Sequence, residues 1–328
     1  MSMTVLEPLP ASAPRLDVVN DWRVDELIPY LDEPQDAIEA AITKLLEYRE
    51  DARAQFFVPP TFVSPPAPLT GHRTYVVVNQ KGGAGKTTTS VELAAAWVAM
   101  GYTVRIIDAD PQDASVTQTW LRPDFTGIPD NERYTLTDVL YGRQPLDEAT
   151  YETAVKGLYL VPSFEDLKLV EFDGKAARDQ QLRAAIRRST APVDITIIDA
   201  PPALGKLSIN GLVAADQVIL PMKVSALDKA ALSDLHRTIE GVQNVENPDL
   251  VVAAAVLTDW SQSNYVPQIA ATIRRDHPGA VIAPARRNVK VAVAPARGLP
   301  LRALTPKATT SLDYNQLAHI LLPAKEAA

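Results

Sequence analysis

Ten consecutive residues, Asn79-Gln80-Lys81-Gly82-Gly83-Ala84-Gly85-Lys86-Thr87-Thr88, hold the densest chemistry in the chain. The three glycines let the backbone turn tightly and aim N–H groups into one concavity, a nest for phosphate oxygens. Lys86 carries a cation toward the β and γ phosphates of a nucleotide, and the Thr87 hydroxyl is of a type that ligates Mg²⁺. Two carboxylates, Asp108 and Asp110, stand two residues apart in Asp108-Ala109-Asp110-Pro111-Gln112. At that spacing they can serve a metal ion and a water. A third carboxylate, Asp199, closes the apolar run Ile195-Thr196-Ile197-Ile198, a position suited to holding Mg²⁺ through water. These residues share one chemistry, phosphoryl transfer with a nucleotide and Mg²⁺.

Such a loop works only between a strand and a helix, whose positive dipole end faces the phosphates. Tyr75–Val78 supplies an apolar strand before it, and Thr87–Met100 a helix after it. Further strand-like runs are 103–108, 158–162, 194–199, 217–222, 251–258 and 280–283, with helix-like segments at 174–188, 228–245 and 266–276. Short apolar β runs separated by helices predict an α/β fold with a doubly wound, mostly parallel sheet. Ligands of such sheets sit beyond the carboxyl ends of the strands, where all three motifs fall. Upstream, Ile38, Ile42, Leu45 and Leu46 predict a helix over 35–53, and five prolines between Pro59 and Pro68 predict an extended linker. The chain is therefore expected to divide into an acidic helical extension with its proline-rich linker, residues 1–70, and an α/β domain carrying the phosphate loop, residues 71–328.

The order Lys-Gly-Gly-x-Gly-Lys-Thr, Asp-x-Asp-Pro-Gln and Asp-x-Pro-Pro resembles the deviant Walker A ATPases of the ParA/MinD family, and most of all its ParA-type, Soj-like branch. The resemblance covers His72 to the C-terminus. It implies an ATP hydrolase of weak intrinsic activity, in which Lys81 crosses an ATP-dependent homodimer to the partner's phosphates, in the manner of an arginine finger. Asp110 would position the attacking water, with Lys81 and Lys86 as the other catalytic groups. Thr87, Asp108 and Asp199 would serve the metal. The ATP contacts would run from Lys81 through Gly82, Gly83, Ala84, Gly85, Lys86, Thr87 and Thr88, with Thr258 and Asn288 bordering the base. Arg274, Arg275, Arg287 and Lys290 would meet DNA phosphates. Val293 and Ser263 depart from the family pattern, standing where a Glu and a DNA-contacting Arg are usual. The implied role is plasmid or chromosome partition, with non-specific double-stranded DNA and a ParB-like centromere-binding protein as partners, in the cytoplasm and on the nucleoid.

Composition narrows the field. With 328 residues and no cysteine, the chain excludes thiolate chemistry and cysteine-held clusters, and with them the nitrogenase iron protein, which shares the loop. The start shows no secretory signal and no run of eighteen apolar residues occurs, so no membrane anchor is expected. A MinD-like membrane cycle would need a basic amphipathic tail, whereas residues 312–328 offer only Lys325. A metabolic ligase of the biotin or cobalamin type would need a second substrate motif, and none is visible. A capsule-type tyrosine kinase would need a tyrosine-rich tail and a membrane segment. An ATP-gated DNA-binding regulator stays open. Net charge is −8, but residues 1–70 hold 12 acidic and 5 basic side chains, a net of −7. Residues 271–310 hold eight cations against Asp276 alone, a net of +7, and local sign decides contact with a polyanion.

Overall fold

The computed structural model describes residues 71–112, 115–172, 178–224, 229–260 and 266–322. The expected helix over 35–53, the proline linker and Ser263 lie outside these residues, as do the first residues of the expected helices at 174 and 228.

Eight strands form one sheet in the order β3-β4-β2-β5-β1-β6-β7-β8. They are β1 (Arg73–Val77), β2 (Val104–Asp108), β3 (Tyr151–Glu152), β4 (Leu158–Val161), β5 (Ile195–Asp199), β6 (Gln217–Lys223), β7 (Val251–Trp260) and β8 (Val281–Arg286). All pairs are parallel except β3 with β4. The doubly wound sheet expected from the sequence is the one found.

Alternation along β1 explains why the sheet is covered on both faces. Tyr75 and Val77 enter one apolar cluster with α1 (Lys86–Ala99), whereas Val76 and Val78 enter the other. With successive side chains on opposite faces, only an unbroken apolar run can bury both. The second face is closed by α2 (Leu136–Leu140), α3 (Lys168–Phe172), α4 (Gln181–Arg188), α5 (Lys206–Ala214), α6 (Lys229–Val245) and α7 (Val266–Asp276).

Two segments complete the first face, α8 (Leu301–Leu304) and α9 (Thr309–Ile320). The sequence pattern did not disclose α9, because its buried face mixes Tyr314, Leu317 and Ala318 with Thr310, Ser311, Asp313 and Asn315 and so forms no unbroken apolar stripe. Thr310 Oγ1 donates to the Arg286 carbonyl at 2.7 Å, Ser311 Oγ to the Thr305 carbonyl at 3.1 Å, and Asn315 Oδ1 accepts from Arg302 Nη1 at 3.1 Å. Tyr314 Oη meets Thr89 Oγ1 at 3.0 Å, and Trp97 Nε1 donates to the Ala318 carbonyl at 2.8 Å. Tyr75 Oη donates to the Leu321 carbonyl at 2.9 Å, and its ring stacks on Trp97 with centroids 4.8 Å apart. Buried polar groups that are fully paired fix one arrangement of helices, and here they tie α9 to α1.

Several expected boundaries move. Strand β7 continues through Asp259 to Trp260, and β8 runs to Arg286 rather than stopping at Ala283. Helix α4 proper begins at Gln181 after a short 3₁₀ turn.

Candidate nucleotide site

At the carboxyl end of β1 the chain enters the glycine loop, and Gly83 and Gly85 adopt φ of +71° and +89°. Side-chain-bearing residues rarely hold that conformation. A Cβ on Gly85 would also lie 3.0 Å from Thr258 Cγ2, so glycine is required there on two counts. Thr258, two residues before the end of β7, donates its hydroxyl to the Ala84 carbonyl at 2.7 Å and so braces the loop from beneath. Asn79 holds the other end, donating to the Pro221 carbonyl at 2.6 Å while its Oδ1 accepts from Lys81 N at 2.8 Å.

Helix α1 then begins with Gly85 as its cap and no side chain bonded to its first amides, and no acidic residue occupies its first turn. Fourteen residues of aligned peptide dipole thus face the loop without an internal counter-charge, an arrangement fitted to a phosphate. Added Cβ atoms at Gly82 and Gly83 would meet nothing within 4 Å, so the concavity is open above the loop. Lys86, only 7% exposed, lies within electrostatic reach of Asp199 and Asp110. Burial lowers its pKa, and the two carboxylates oppose that shift.

Strands β2 and β5 are neighbours in register, which sets Asp108 opposite Asp199 at their carboxyl ends. Both side chains are fully buried. Burial first and the Asp199 charge second push Asp108 up to about 7, and burial pushes Asp199 up to about 6. A divalent cation beside such a pair relieves the repulsion. Asp199 accepts from Thr87 Oγ1 at 2.8 Å and from Ser90 Oγ at 2.7 Å, joining the strand to the first turn of α1. Asp108 is turned inward. Its Oδ2 accepts from Thr117 N and Oγ1 at 2.9 and 2.6 Å, and its Oδ1 from Asp110 N at 3.3 Å. Thr117 lies in a π-helical turn, Ser115–Trp120, an irregularity frequent beside functional sites. Asp110 stays at the edge of the site, 7% exposed, with Oδ1 accepting from Gln112 N at 2.9 Å.

Lys86, Thr87, Asp110 and Asp199 therefore converge on one crevice, with Asp108 behind it. The donor set suits Mg²⁺, which takes one hydroxyl and one or two carboxylates and completes its shell with water and phosphate oxygens. Among the described residues no cluster of three or more His, Cys, Asp or Glu could hold a metal by itself. Sequence reasoning missed Ser90, Thr117 and Asn79. Ser90 could have been found from its place four residues beyond Lys86, on the same face of α1.

The expected outer contacts are distributed differently. Asn288 Oδ1 accepts from Lys290 N at 2.9 Å and caps a short 3₁₀ turn, Val289–Ala292. The basic segment does not fold into one patch. Arg274 and Arg275 end α7 ahead of β8, whereas Arg287 and Lys290 follow β8, and its six residues separate the two pairs by about 20 Å. Carboxylates from outside the segment also reach in. Asp313 takes a forked bond from Arg286, Asp259 lies 3.4 Å from Arg287 Nε, and Glu92 faces Arg302. Arg275 is paired with its neighbour Asp276. The net of +7 counted along the sequence is thus not a single exposed charge, because sequence windows omit partners that folding supplies.

The AAA domain family model matches residues 72–252. The chromosome partitioning protein ParA of Caulobacter vibrioides is 37% identical over 252 residues, covering 75% of this chain and 92% of that one. The chain belongs to the ParA/MinD family of P-loop ATPases, on its ParA side. ParA of Myxococcus xanthus is 34% identical over 257 residues, covering 76% and 88% of the two chains. Among solved structures, cobyrinic acid a,c-diamide synthase of Mycobacterium smegmatis with bound ADP and magnesium aligns with TM-score 0.59 and 27% identity, over 76% and 93% of the two chains. The ParA-type membership and the doubly wound fold expected from the sequence thus agree with the relatives and with the sheet.

Proposed function

We propose that the chain is a partition ATPase whose ATP state closes a homodimer on DNA. ATP and Mg²⁺ are its cofactors. The observation that carries the reading is the uncapped start of α1 with Lys86, Thr87, Asp110 and Asp199 around it, in a chain 37% identical to a chromosome partitioning protein. Thr87 and Asp199 would hold Mg²⁺, which supplies charge neutralisation on the transferring phosphoryl group. Asp110 orients the attacking water, and Lys86 stabilises charge on the phosphate oxygens. Asp108 acts from behind, by charge and by holding Thr117. Lys81, half-exposed on the loop, extends to the phosphates of the second protomer.

The closed dimer binds duplex DNA through phosphate contacts without base readout, on the side of Arg287 and Lys290. A ParB-like partner stimulates hydrolysis and releases it. A MinD-like cycle is disfavoured by the curated relatives at 34–37% identity, which are chromosome partitioning proteins. No described helix is long and apolar enough to cross a membrane. A ligase activity like that named for the Mycobacterium smegmatis structure would require an amide-forming second substrate, and the curated relatives at 34–37% identity are partition proteins.

Binding to arbitrary duplex DNA in ATP and in ADP, at two salt concentrations, tests the proposal. Binding that requires ATP, ignores sequence and falls steeply with salt is expected. Absence of DNA binding in both nucleotides would overturn the partition reading while leaving the ATPase assignment in place.

A further inference from the structure

At the amino-terminal end of the sheet, opposite the glycine loop, lies a cleft of about 600 Å³. The starts of β1, β6 and β7 and the last turn of α4 wall it, and its charged lining comprises Arg73, Arg105, Arg183, Arg187, Asp216 and Asp249, with His72 at the rim. Four guanidinium groups thus face two carboxylates. Asp216 is engaged, taking Thr74 N on Oδ2 at 2.8 Å, and Arg183 has one donor on the Glu246 carbonyl at 2.8 Å.

Arg105 is the informative residue. It interrupts the apolar strand β2 and is 1% exposed. Its Nη1 donates to Ser189 Oγ at 3.1 Å and lies 3.6 Å from Asp147, yet its buried Nε has no hydrogen-bond partner among the described residues. Gln217 Oε1, on the same lining, is likewise buried without a partner. Buried polar groups are nearly always paired, so two orphans on one cleft call for a ligand or another cause that satisfies them. The volume falls in the range of small-molecule sites. A planar fork of N–H donors matches the oxygens of phosphate, and arginine is the residue over-represented where phosphate is read in this way. Nothing in ATP hydrolysis requires an arginine here, because Arg105 lies three residues, about 10 Å, before Asp108 along β2.

We propose that this cleft is a second anion site that takes a phosphate-bearing small molecule, with Arg105 at its floor and Arg73 and Arg187 at its sides. The glycine loop, residues 79–88, contains no arginine, so guanidinium chemistry distinguishes the two sites.

The test is phenylglyoxal modification of the full chain with and without millimolar inorganic pyrophosphate, mapped by mass spectrometry. Protection of Arg73 and Arg187 by at least fivefold, with exposed Arg122 unchanged, is the expected result. Equal rates with and without pyrophosphate, or equal slowing at Arg122, would overturn the site. Arg187→Gln, a change at an exposed position, should weaken pyrophosphate protection of Arg73 about tenfold, and retention of full protection would also overturn it.

Discussion

At the scale of single residues the proposed site separates groups that would act on the phosphate or its attacking water from groups that hold the surrounding fold in place. Asp110, at the crevice edge, is proposed for the first class. Asp110→Ala is expected to leave ATP affinity within about threefold and to lower turnover about 100-fold, since positioning of the nucleophile is worth several kcal/mol. Equilibrium nucleotide binding beside steady-state phosphate release measures both. Glu92 belongs to the second class. It is fully buried on α1, its oxygens accept from Leu301 N at 2.6 Å and Arg302 N at 3.3 Å, and burial lifts its pKa to about 7. A folded pKa above the unfolded value means that the folded chain binds the proton more tightly. The stability associated with that proton is present in full below pH 4.5 and is lost as pH rises through about 7. Glu92→Gln should therefore flatten the fall of Tm between pH 5 and pH 8, read by thermal melts across that range.

At the scale of elements, the loops beyond β5 are held by a residue far away in sequence. Glu171 of α3 accepts from Lys206 N at 2.8 Å and Leu207 N at 3.2 Å, capping α5 directly after the Asp199-Ala200-Pro201-Pro202 turn. A Cβ on Gly205 would fall 2.3 Å from Glu171 Oε2, so the cap leaves no room for a side chain. Glu171→Ala should cost about 1 kcal/mol, the usual value of a lost helix cap. It should also speed amide exchange at 206–208 without altering exchange in β5. This cap shows what the sequence could and could not disclose. Tyr75–Val78, the glycine loop and the two strand-end aspartates were legible, because local pattern and motif spacing encode them. The Glu171 cap, the Thr258 brace and the polar face of α9 were not legible, because each depends on a partner between 35 and 225 positions away.

At the scale of the whole molecule, charge seen along the chain differs from charge seen in space. Asp259 and Asp313 pair with Arg287 and Arg286, and the pair at the end of α7 sits at the other end of β8. Lys290, exposed beyond β8, is then the cation whose removal should matter most. Lys290→Ala should weaken ATP-dependent DNA binding severalfold and reduce the salt slope by about 1, whereas Arg275→Ala should change neither. Fluorescence anisotropy at three salt concentrations checks the difference.

The fastening of α9 to α1 also has a spectroscopic consequence. Trp97 is buried completely, with its indole N–H committed to a carbonyl. Its emission will be blue-shifted and sheltered from iodide or acrylamide. Trp260 ends β7 two residues past the threonine that braces the loop, and it is only partly buried. Red-edge excitation or collisional quenching will therefore favour Trp260 over Trp97. With four tryptophans in the chain, replacing Trp22 and Trp120 by Phe would leave Trp260 as an optical reporter at the nucleotide end and Trp97 as an internal reference in the core.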